Sequence, residues 1–508
     1  MADFDFLASH AETQPAKPAV ILGERSLDFA TLNARANKAA NLFKSLGCEA
    51  GDHVAMMAFN SVEGFEVANA LRRVGMIVVP VNYRLRGSEI AYVLNDSGAK
   101  VVIAGPDHVD VMLTAVPEVE GGPHFVAVGG LVPEGWLGYE ALMNSASASK
   151  PSEATGDGLA PSMIYTSGTT GHPKGAWRPH GVNLENVLQV ISIFDLDLKD
   201  VHLMCGPGYH SAVGFFSALN QLLGATVIVQ PKFEAEDALD LIARHRVTTA
   251  FMAPMLLHRL VNAQEDNPRD VSSLRALILG AAPCPYALKE RGERAFGQVL
   301  WEFYGATETG INTVLRPEDQ LRKPASCGTA VPGQEIRLVG ADGQEVADGV
   351  PGEFMVRNSW LAEYYHRPDA TGKSLHDGFF SVGDIAYRDG EGYYYICDRR
   401  IDMIISGGVN IYPAEVEAAL YAHPAVMDAA VIGVPDEQWG ESVKAVVQLR
   451  SGAKATEGEL IAYTSERLAG YKKPRSIDFV DELPRDAAGK LLKRKIREPY
   501  WEAAGRKI

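Results

Sequence analysis

The stretch Ser162-Met163-Ile164-Tyr165-Thr166-Ser167-Gly168-Thr169-Thr170-Gly171-His172-Pro173-Lys174-Gly175 decides how the rest of the chain is read. Its apolar lead-in, Ser162 to Tyr165, predicts a short buried strand. That strand runs into hydroxyls and glycines that could neither propagate a stable helix nor fill a core. Glycines at 168, 171 and 175 let backbone N–H groups turn toward one point and form a nest for an anion. The hydroxyls of Thr166, Ser167, Thr169 and Thr170 add donors, and Lys174 adds a positive point charge. A polyphosphate is the ligand this chemistry suits. The stretch is not a Walker A loop, which needs Gly-Lys followed by Ser or Thr; here Pro173 precedes Lys174 and Gly175 follows it. Taken alone, it also reads as a plain Ser/Thr/Gly surface loop.

Outward from that loop, length comes first. A chain of 508 residues is too long for one core, so two or more domains are expected. With 46% hydrophobic and 22% charged residues it reads as a soluble globular enzyme. The longest apolar runs, such as Val54 to Phe59, fall far short of the roughly 18 residues a membrane helix needs. The acidic start, Met1 to Asp5, lacks the basic-then-apolar form of a signal peptide. Cysteines 48, 205, 284, 327 and 397 are scattered without a CxxC pair, and read as reduced packing residues of a cytoplasmic protein. A formal charge of −16 argues against non-specific binding to nucleic acid or to anionic membrane. A polyanionic ligand would then be held by local dipoles, a few cations and a metal ion, not by a long-range basic field.

Upstream of the loop, helices and short apolar strands alternate. A helix is predicted over Thr31 to Phe43, a strand over Val54 to Phe59, a helix over Val62 to Val74, and strands over Met76 to Val81 and Val101 to Ala104. The Ser/Ala-rich patch Ser145 to Ser149 reads as an exposed connection. Downstream the alternation resumes, with strands at 225–229, 248–252 and 276–279 and helices at 235–245 and 255–261. Strands separated by helices imply crossovers and a largely parallel sheet covered on both faces. Gly328 to Arg357 shifts to short alternating strands, a small β subdomain. A boundary follows near residue 400. Beyond it come strands at 403–405, 425–433 and 442–449, a helix opened by Pro413 at its first position, and a helix over 457–468. The expected fold class is α/β: a large multi-subdomain N-terminal domain, 1–401, with parallel-rich sheets and a small β subdomain, and a small mobile α+β C-terminal domain, 402–508.

Three further segments carry chemistry in their residue types. Tyr304-Gly305-Ala306-Thr307-Glu308-Thr309-Gly310 follows an aromatic strand, and polar residues between glycines at a strand end suit the crevice where open α/β sheets bind ligands. Glu308 offers a hard oxygen ligand for magnesium. In Phe380-Ser381-Val382-Gly383-Asp384 the carboxylate could accept both hydrogen bonds of a ribose diol. Pro484-Arg485-Asp486-Ala487-Ala488-Gly489-Lys490 presents a lysine in a basic tail. Each has an ordinary alternative in isolation: a turn with a solvated Glu, an Asp opening a turn, a solvated Lys.

In order along the chain, these segments resemble the signature motifs of the adenylate-forming enzymes, which comprise acyl-CoA synthetases, luciferases and peptide-synthetase adenylation domains. The chain as a whole resembles a bacterial fatty acyl or aryl acyl-CoA synthetase, and the likeness spans essentially its full length. The resemblance implies ATP binding by Thr166, Ser167, Gly168, Thr169, Thr170, Gly171 and Lys174, together with Tyr304, Gly305 and Thr307. It implies a magnesium ion on Glu308, ribose contact by Asp384 and nucleotide contact by Arg399, which follows Asp398 where most relatives carry Gly. Lys490 would bridge the carboxylate and the α-phosphate, so Lys490, Glu308 and His210 are the implied catalytic residues. Asp402 would be the hinge, and Ser406, Gly407 and Gly408 would line the tunnel for CoA. His210 would gate an acyl pocket drawn from His210, Met252, Gly280, Ala281, Gly305 and Gly310, although Pro207-Gly208-Tyr209-His210 departs from the more usual Pro-Leu-Phe-His.

The implied activity is a two-step ligation of a carboxylic acid to CoA through an acyl-adenylate, with ATP, Mg2+ and CoA as cofactors or co-substrates and a homodimer as the assembly. Small and apolar pocket residues favour a fatty or aryl acid, and the absence of an acid in Tyr209-His210-Ser211 disfavours an amino acid. The alternatives are transfer to a carrier protein, an amine or another nucleophile, a luciferase-like oxygenase, and a non-catalytic nucleotide-binding module.

Overall fold

The computed structural model describes residues 5–151, 161–166, 173–178, 181–399, 402–406, 409–436, 438–485 and 491–503, the side chains of 398, 399, 410 and 503 excepted. Among these residues the strands assemble into five sheets. The alternation of helix and apolar strand produces the parallel pairing it predicts. One sheet orders Ile77–Pro80, His53–Met57, Val101–Ala104, His124–Ala127 and Leu137–Gly138, all parallel. A nine-stranded sheet has a parallel centre of Leu300–Ala306, Ala276–Leu279, Thr249–Met252, Val201–Met204 and Thr226–Val229. Ala276–Leu279, Thr249–Met252 and Thr226–Val229 are buried at every position, as a strand covered on both faces requires. The mixed α/β architecture, with a large N-terminal domain of parallel sheets and a smaller C-terminal domain, is the one the sequence predicts.

The helix Phe29–Ser45 lies between the two sheets. Asp28 caps it by accepting from Thr31 N at 2.7 Å. Its Leu32 and Ala36 pack into the core of the nine-stranded sheet, while Ala39, Ala40, Leu42 and Phe43 join the core of the other. Such two-sided burial explains why the helix shows several apolar rows instead of one stripe. Local pattern did not show where the chain begins. Pro18–Leu22 and Arg25–Asp28 add to the edge of the nine-stranded sheet beside Thr226–Val229, some two hundred residues downstream.

The opening stretch differs from its expected form. Met163–Thr166 is a strand, but only Met163 is buried, and it pairs antiparallel with Lys174–Trp177, while Ser162 before it makes a parallel bridge to Val78. Lys174 therefore sits on the returning strand, as the Cα partner of Thr166. Glu363–Tyr364 completes this three-stranded sheet. The small β subdomain also runs further than Arg357: Glu335–Val339, Gly352–Arg357, Leu375–His376, Phe379–Arg388 and Tyr394–Arg399 form one antiparallel sheet.

Beyond Asp402 a separate sheet contains Ile404–Ser406, Val409–Ile411, Gly440–Leu449, Val426–Asp436 and Ser476–Phe479. Its core gathers Ile404, Val416, Leu420, Val431 and Leu460, with the helix Pro413–Tyr421 opened by its proline as predicted. The basic tail, which gave no element in the sequence, is the helix Lys493–Ala503, with Ile496 buried against Ile432 and Val446. No helix among the described residues is long and apolar enough to cross a membrane.

Candidate active site

Two hairpins meet at one carboxylate. The first, Met163–Thr166 with Lys174–Trp177, carries Thr166 and Lys174 side by side; the second, Leu300–Ala306 with Gly310–Leu315, carries Glu308 in its turn. Thr166 Oγ1 donates to Glu308 Oε1 at 3.3 Å, and Tyr364 OH donates to the same oxygen at 2.9 Å. Lys174 Nζ stands 4.9 Å from the centroid of the Tyr364 ring, a cation–π contact with the tyrosine whose hydroxyl bonds Glu308. Glu308 is 8% exposed.

The turn that presents Glu308 has room only for glycine at two places. A Cβ on Gly305 would lie 2.0 Å from the Gly310 carbonyl oxygen. Gly310 has φ +72°, and its Cβ would lie 2.5 Å from the Trp360 ring. Both residues were expected in the acyl pocket and both do line the cleft, but their packing shows that they shape the turn as well.

Arg178, which no sequence motif singled out, fastens this turn from beneath. Its Nε donates to the Trp360 carbonyl at 2.6 Å and its Nη2 to the Thr307 carbonyl. Burial pulls the guanidinium down to about 10, against the opposing pull of the Glu308 charge, so Arg178 stays cationic at neutral pH. Thr307 Oγ1 lies 3.1 Å from Ser211 Oγ and so ties the turn to the start of the helix Ser211–Leu223.

On the hairpin that carries Glu308, Tyr304 OH donates to Asp384 Oδ2 at 2.5 Å. Asp384, 6% exposed, is the direct cross-strand partner of Arg399. Strand register thus places two residues fifteen apart in sequence next to one another. The backbone before Asp384 turns at Gly383, φ +83°, whose N–H donates to Ser381 Oγ at 3.0 Å.

His210 occupies the N-cap of Ser211–Leu223, and its ring lies 4.4 Å from that of Tyr209, which in turn meets Tyr83 edge-on at 5.0 Å. The unusual Gly208 has a physical reason. A Cβ there would come within 2.6 Å of Met204 Cε and 2.9 Å of Asn60 Oδ1. Asn60 donates to the carbonyls of Gly206 and Gln230 and accepts from Gly208 N–H at 2.8 Å, so it pins this loop. Met252 and Ala281 line the cleft, Ala281 with φ +70°. Gly280 stands behind that wall, where a Cβ would meet Phe303 at 2.9 Å and Phe251 at 3.2 Å.

These walls enclose a cleft of about 2920 Å³, whose far side is supplied by Asp402, Glu417, Asp428, Arg485 and Lys493. Ser167, Gly168, Thr169, Thr170, Gly171, Gly407, Gly408 and Lys490 lie outside the described residues, as does the Arg399 side chain. Residues on either side of 486–490 are described. Arg485 and Leu491 form a bridge, Arg485 Nη2 donates to Asp428 Oδ2 at 2.5 Å, and Lys493 pairs with Glu417 at 2.9 Å. Ser406 is the strand partner of Val409 and Gly440. No group of three or more His, Cys, Asp or Glu among the described residues could hold a metal ion. A single carboxylate such as Glu308 would fit magnesium, which takes one or two protein carboxylates and completes its shell with phosphate oxygens and water. Cys205 and Cys327 are packing residues whose thiols burial pushes up to about 12.

Comparison with known proteins identifies the family. The family described as AMP-binding enzyme matches residues 7–366, and the AMP-binding enzyme C-terminal domain matches 415–490. The chain is 35% identical over 499 residues to an indoleacetate–CoA ligase of Aromatoleum aromaticum, covering 97% of each. It is 37% identical over 495 residues to a feruloyl-CoA synthase of an Amycolatopsis species, covering 96% of this chain and 97% of that one. Among solved structures, ATP-bound MatB from Rhodopseudomonas palustris superimposes with a TM-score of 0.88 at 30% identity, over 98% of each chain.

Proposed function

The chain belongs to the AMP-binding enzyme family, and from that premise we propose that it is an ATP-dependent acid–CoA ligase acting on an apolar fatty or aryl acid. The observation that carries the reading is the meeting of two hairpins on Glu308, with Lys174 over the Tyr364 ring that bonds it, Arg178 fastening its turn, and Tyr304 of the same hairpin bonded to Asp384. A carboxylate attacks the α-phosphate of ATP, pyrophosphate leaves, and the thiol of CoA then displaces AMP from the acyl-adenylate. Since the first step brings two anions together, the protein's part is charge neutralisation and alignment.

Thr166 and Lys174, with the loop 167–171 between them, are assigned to the departing phosphates. Asp384, with Arg399 beside it on the neighbouring strand, is assigned to the ribose. Thr166 and Tyr364 hold the Glu308 carboxylate in one orientation. A magnesium ion on Glu308 would add positive charge against the phosphate oxygens. Lys490 is assigned to the α-phosphate and the attacking carboxylate, on a C-terminal domain whose boundary we place at 401/402. Rotation about Asp402 would withdraw Lys490 and present Ser406, Gly407 and Gly408 to the pantetheine arm. His210, beside Tyr209 at the head of its helix, is assigned to the passage between acid and thiol.

Pyrophosphate release across aliphatic and aromatic acids, with and without CoA, tests this reading. We expect release that depends on both ATP and acid, and AMP equal to thioester once CoA is added. Steady turnover indifferent to CoA would replace it with transfer to another nucleophile.

A further inference from the structure

The cleft continues past His210 between the helices Val62–Arg73 and Ser211–Leu223. One wall is Gly64, Phe65, Ala68, Asn69 and Arg72; the other is Gly214, Ser217, Ala218 and Gln221. Both sets repeat at three- and four-residue spacing, so each is a single helix face. Gly64, Ala68, Gly214, Ser217 and Ala218 are small, and that keeps a channel open between helices that would otherwise interlock. Phe6 and Leu7 stand at its far end, with Arg72 engaged by Asp5 at 3.3 Å.

Two residues that line this channel each carry a buried polar atom with no hydrogen-bond partner among the described residues. Asn69 Nδ2, fixed by the Phe65 carbonyl at 2.8 Å, donates to Gln221 Oε1 at 2.5 Å and thereby sets the orientation of the Gln221 amide. Among the described residues, Gln221 Nε2 and Ser217 Oγ have no hydrogen-bond partner, although the two residues are only 7% and 2% exposed. Buried donors are normally satisfied, so an unsatisfied pair lining a cavity marks a place for a ligand atom. An amide nitrogen only donates, so that atom must accept. The contact between Ser211 and Thr307 fixes the helix start at the proposed ATP site. At 1.5 Å of rise per residue, Ser217 lies about 9 Å and Gln221 about 15 Å further along.

We infer that the preferred acid is elongated and carries a hydrogen-bond-accepting oxygen, a hydroxyl or ketone, at the end remote from its carboxylate, received by Gln221 Nε2 and Ser217 Oγ. This names the substrate class for the ligase reading above and rests on it. A site built to bond an oxygen discriminates strongly against the analogue that lacks it, because its own polar groups are then left unpaired.

The test uses the full chain and straight-chain acids of graded length, each with and without an ω-hydroxyl. It records kcat/KM for pyrophosphate release, and equilibrium binding of the same acids by calorimetry without ATP. The wild type should favour the ω-hydroxy acid by about tenfold or more at one length, and the ratio should fall toward one in Ser217→Ala and Gln221→Leu. A ratio between two substrates cancels any general loss of folded enzyme. A wild-type ratio of one at every length, in turnover and in binding, overturns the inference, as does a preference that both variants retain. If no acid supports pyrophosphate release but calorimetry keeps the hydroxyl preference, the ligase reading falls and the channel's specificity stands.

Discussion

On the phosphate side of the cleft, Glu308 is gripped by Thr166 and Tyr364, and Arg178 locks its turn to Thr307 and Trp360. On the C-terminal side, the hairpin stem that leads to Lys490 is tied to its own domain, by Arg485 to Asp428 and by Lys493 to Glu417. The first region is a fixed constellation buried in the large domain. The second is a separate body, with its own core around Ile404 and Val431, that carries its charge to the cleft from outside. Under the proposed two-step reaction, the C-terminal wall is the one assigned to change between half-reactions while the other is kept.

The largest expected effect breaks the comparison on its C-terminal side. Lys490→Ala should slow acyl-adenylate formation by about 100- to 1000-fold, as loss of one charge-stabilising group does. Thioester synthesis from supplied acyl-adenylate should survive. Asp402→Pro should do the reverse by restricting the proposed hinge. Rapid-quench measurement of each half-reaction separates the two, and equal loss of both halves in either variant would remove that residue from its assigned role.

A smaller effect breaks the fixed side. Arg178→Met removes charge-assisted bonds to two carbonyls, each worth about 1.5–3 kcal/mol, and should lower kcat/KM for ATP by about 10- to 100-fold. Arg178→Lys should recover only part of this, because an ammonium cannot reproduce the planar fork. Full activity in the methionine variant would show that the turn holds its shape without the guanidinium.

The smallest effect lies away from both walls. His202 sits in the nine-stranded sheet, 1% exposed, with Nδ1 3.0 Å from Thr249 Oγ1. Burial pulls it down to about 4 from an ordinary 6.5, and the Asp200 charge offsets this only in part. The unfolded chain takes up the proton first, so this stability is complete above pH 6.5 and is lost as pH falls toward 4. The slope is at most about 1.4 kcal/mol per pH unit. Urea unfolding against pH should show that slope, and His202→Gln should flatten it. The effect belongs to the large domain, so adenylate formation and thioester synthesis should decline together.

Much of the fold was legible in the chain because parallel strands covered on both faces announce themselves as apolar runs, and Ala276–Leu279 and Val101–Ala104 fall where the pattern puts them. Pro18–Leu22 could not be placed, since its pairing with Thr226–Val229 depends on contacts no local window contains. The site divides in the same way. Thr166, Lys174, Glu308 and Asp384 stand in short motifs whose residue types carry the chemistry. Arg178, Tyr364 and Asn60 do not, because a buried arginine on two carbonyls, a tyrosine under a lysine and an asparagine filling the space over a glycine are ordinary residues until their neighbours are known.

By itself, the sequence determined the α/β alternation, because strand periodicity is a local property, and its ordered short motifs carried the family resemblance from which a polyphosphate loop and acid-activating residues are proposed. Only the tertiary structure decided that Lys174 belongs to a strand and that Asp384 neighbours Arg399. It also decided that Gly280 stands behind the acyl wall and that Ser217 and Gln221, each with a buried polar atom lacking a partner among the described residues, line a channel between two helices. Those facts depend on register and on packing between distant segments, and the order of residues along a chain does not contain either one.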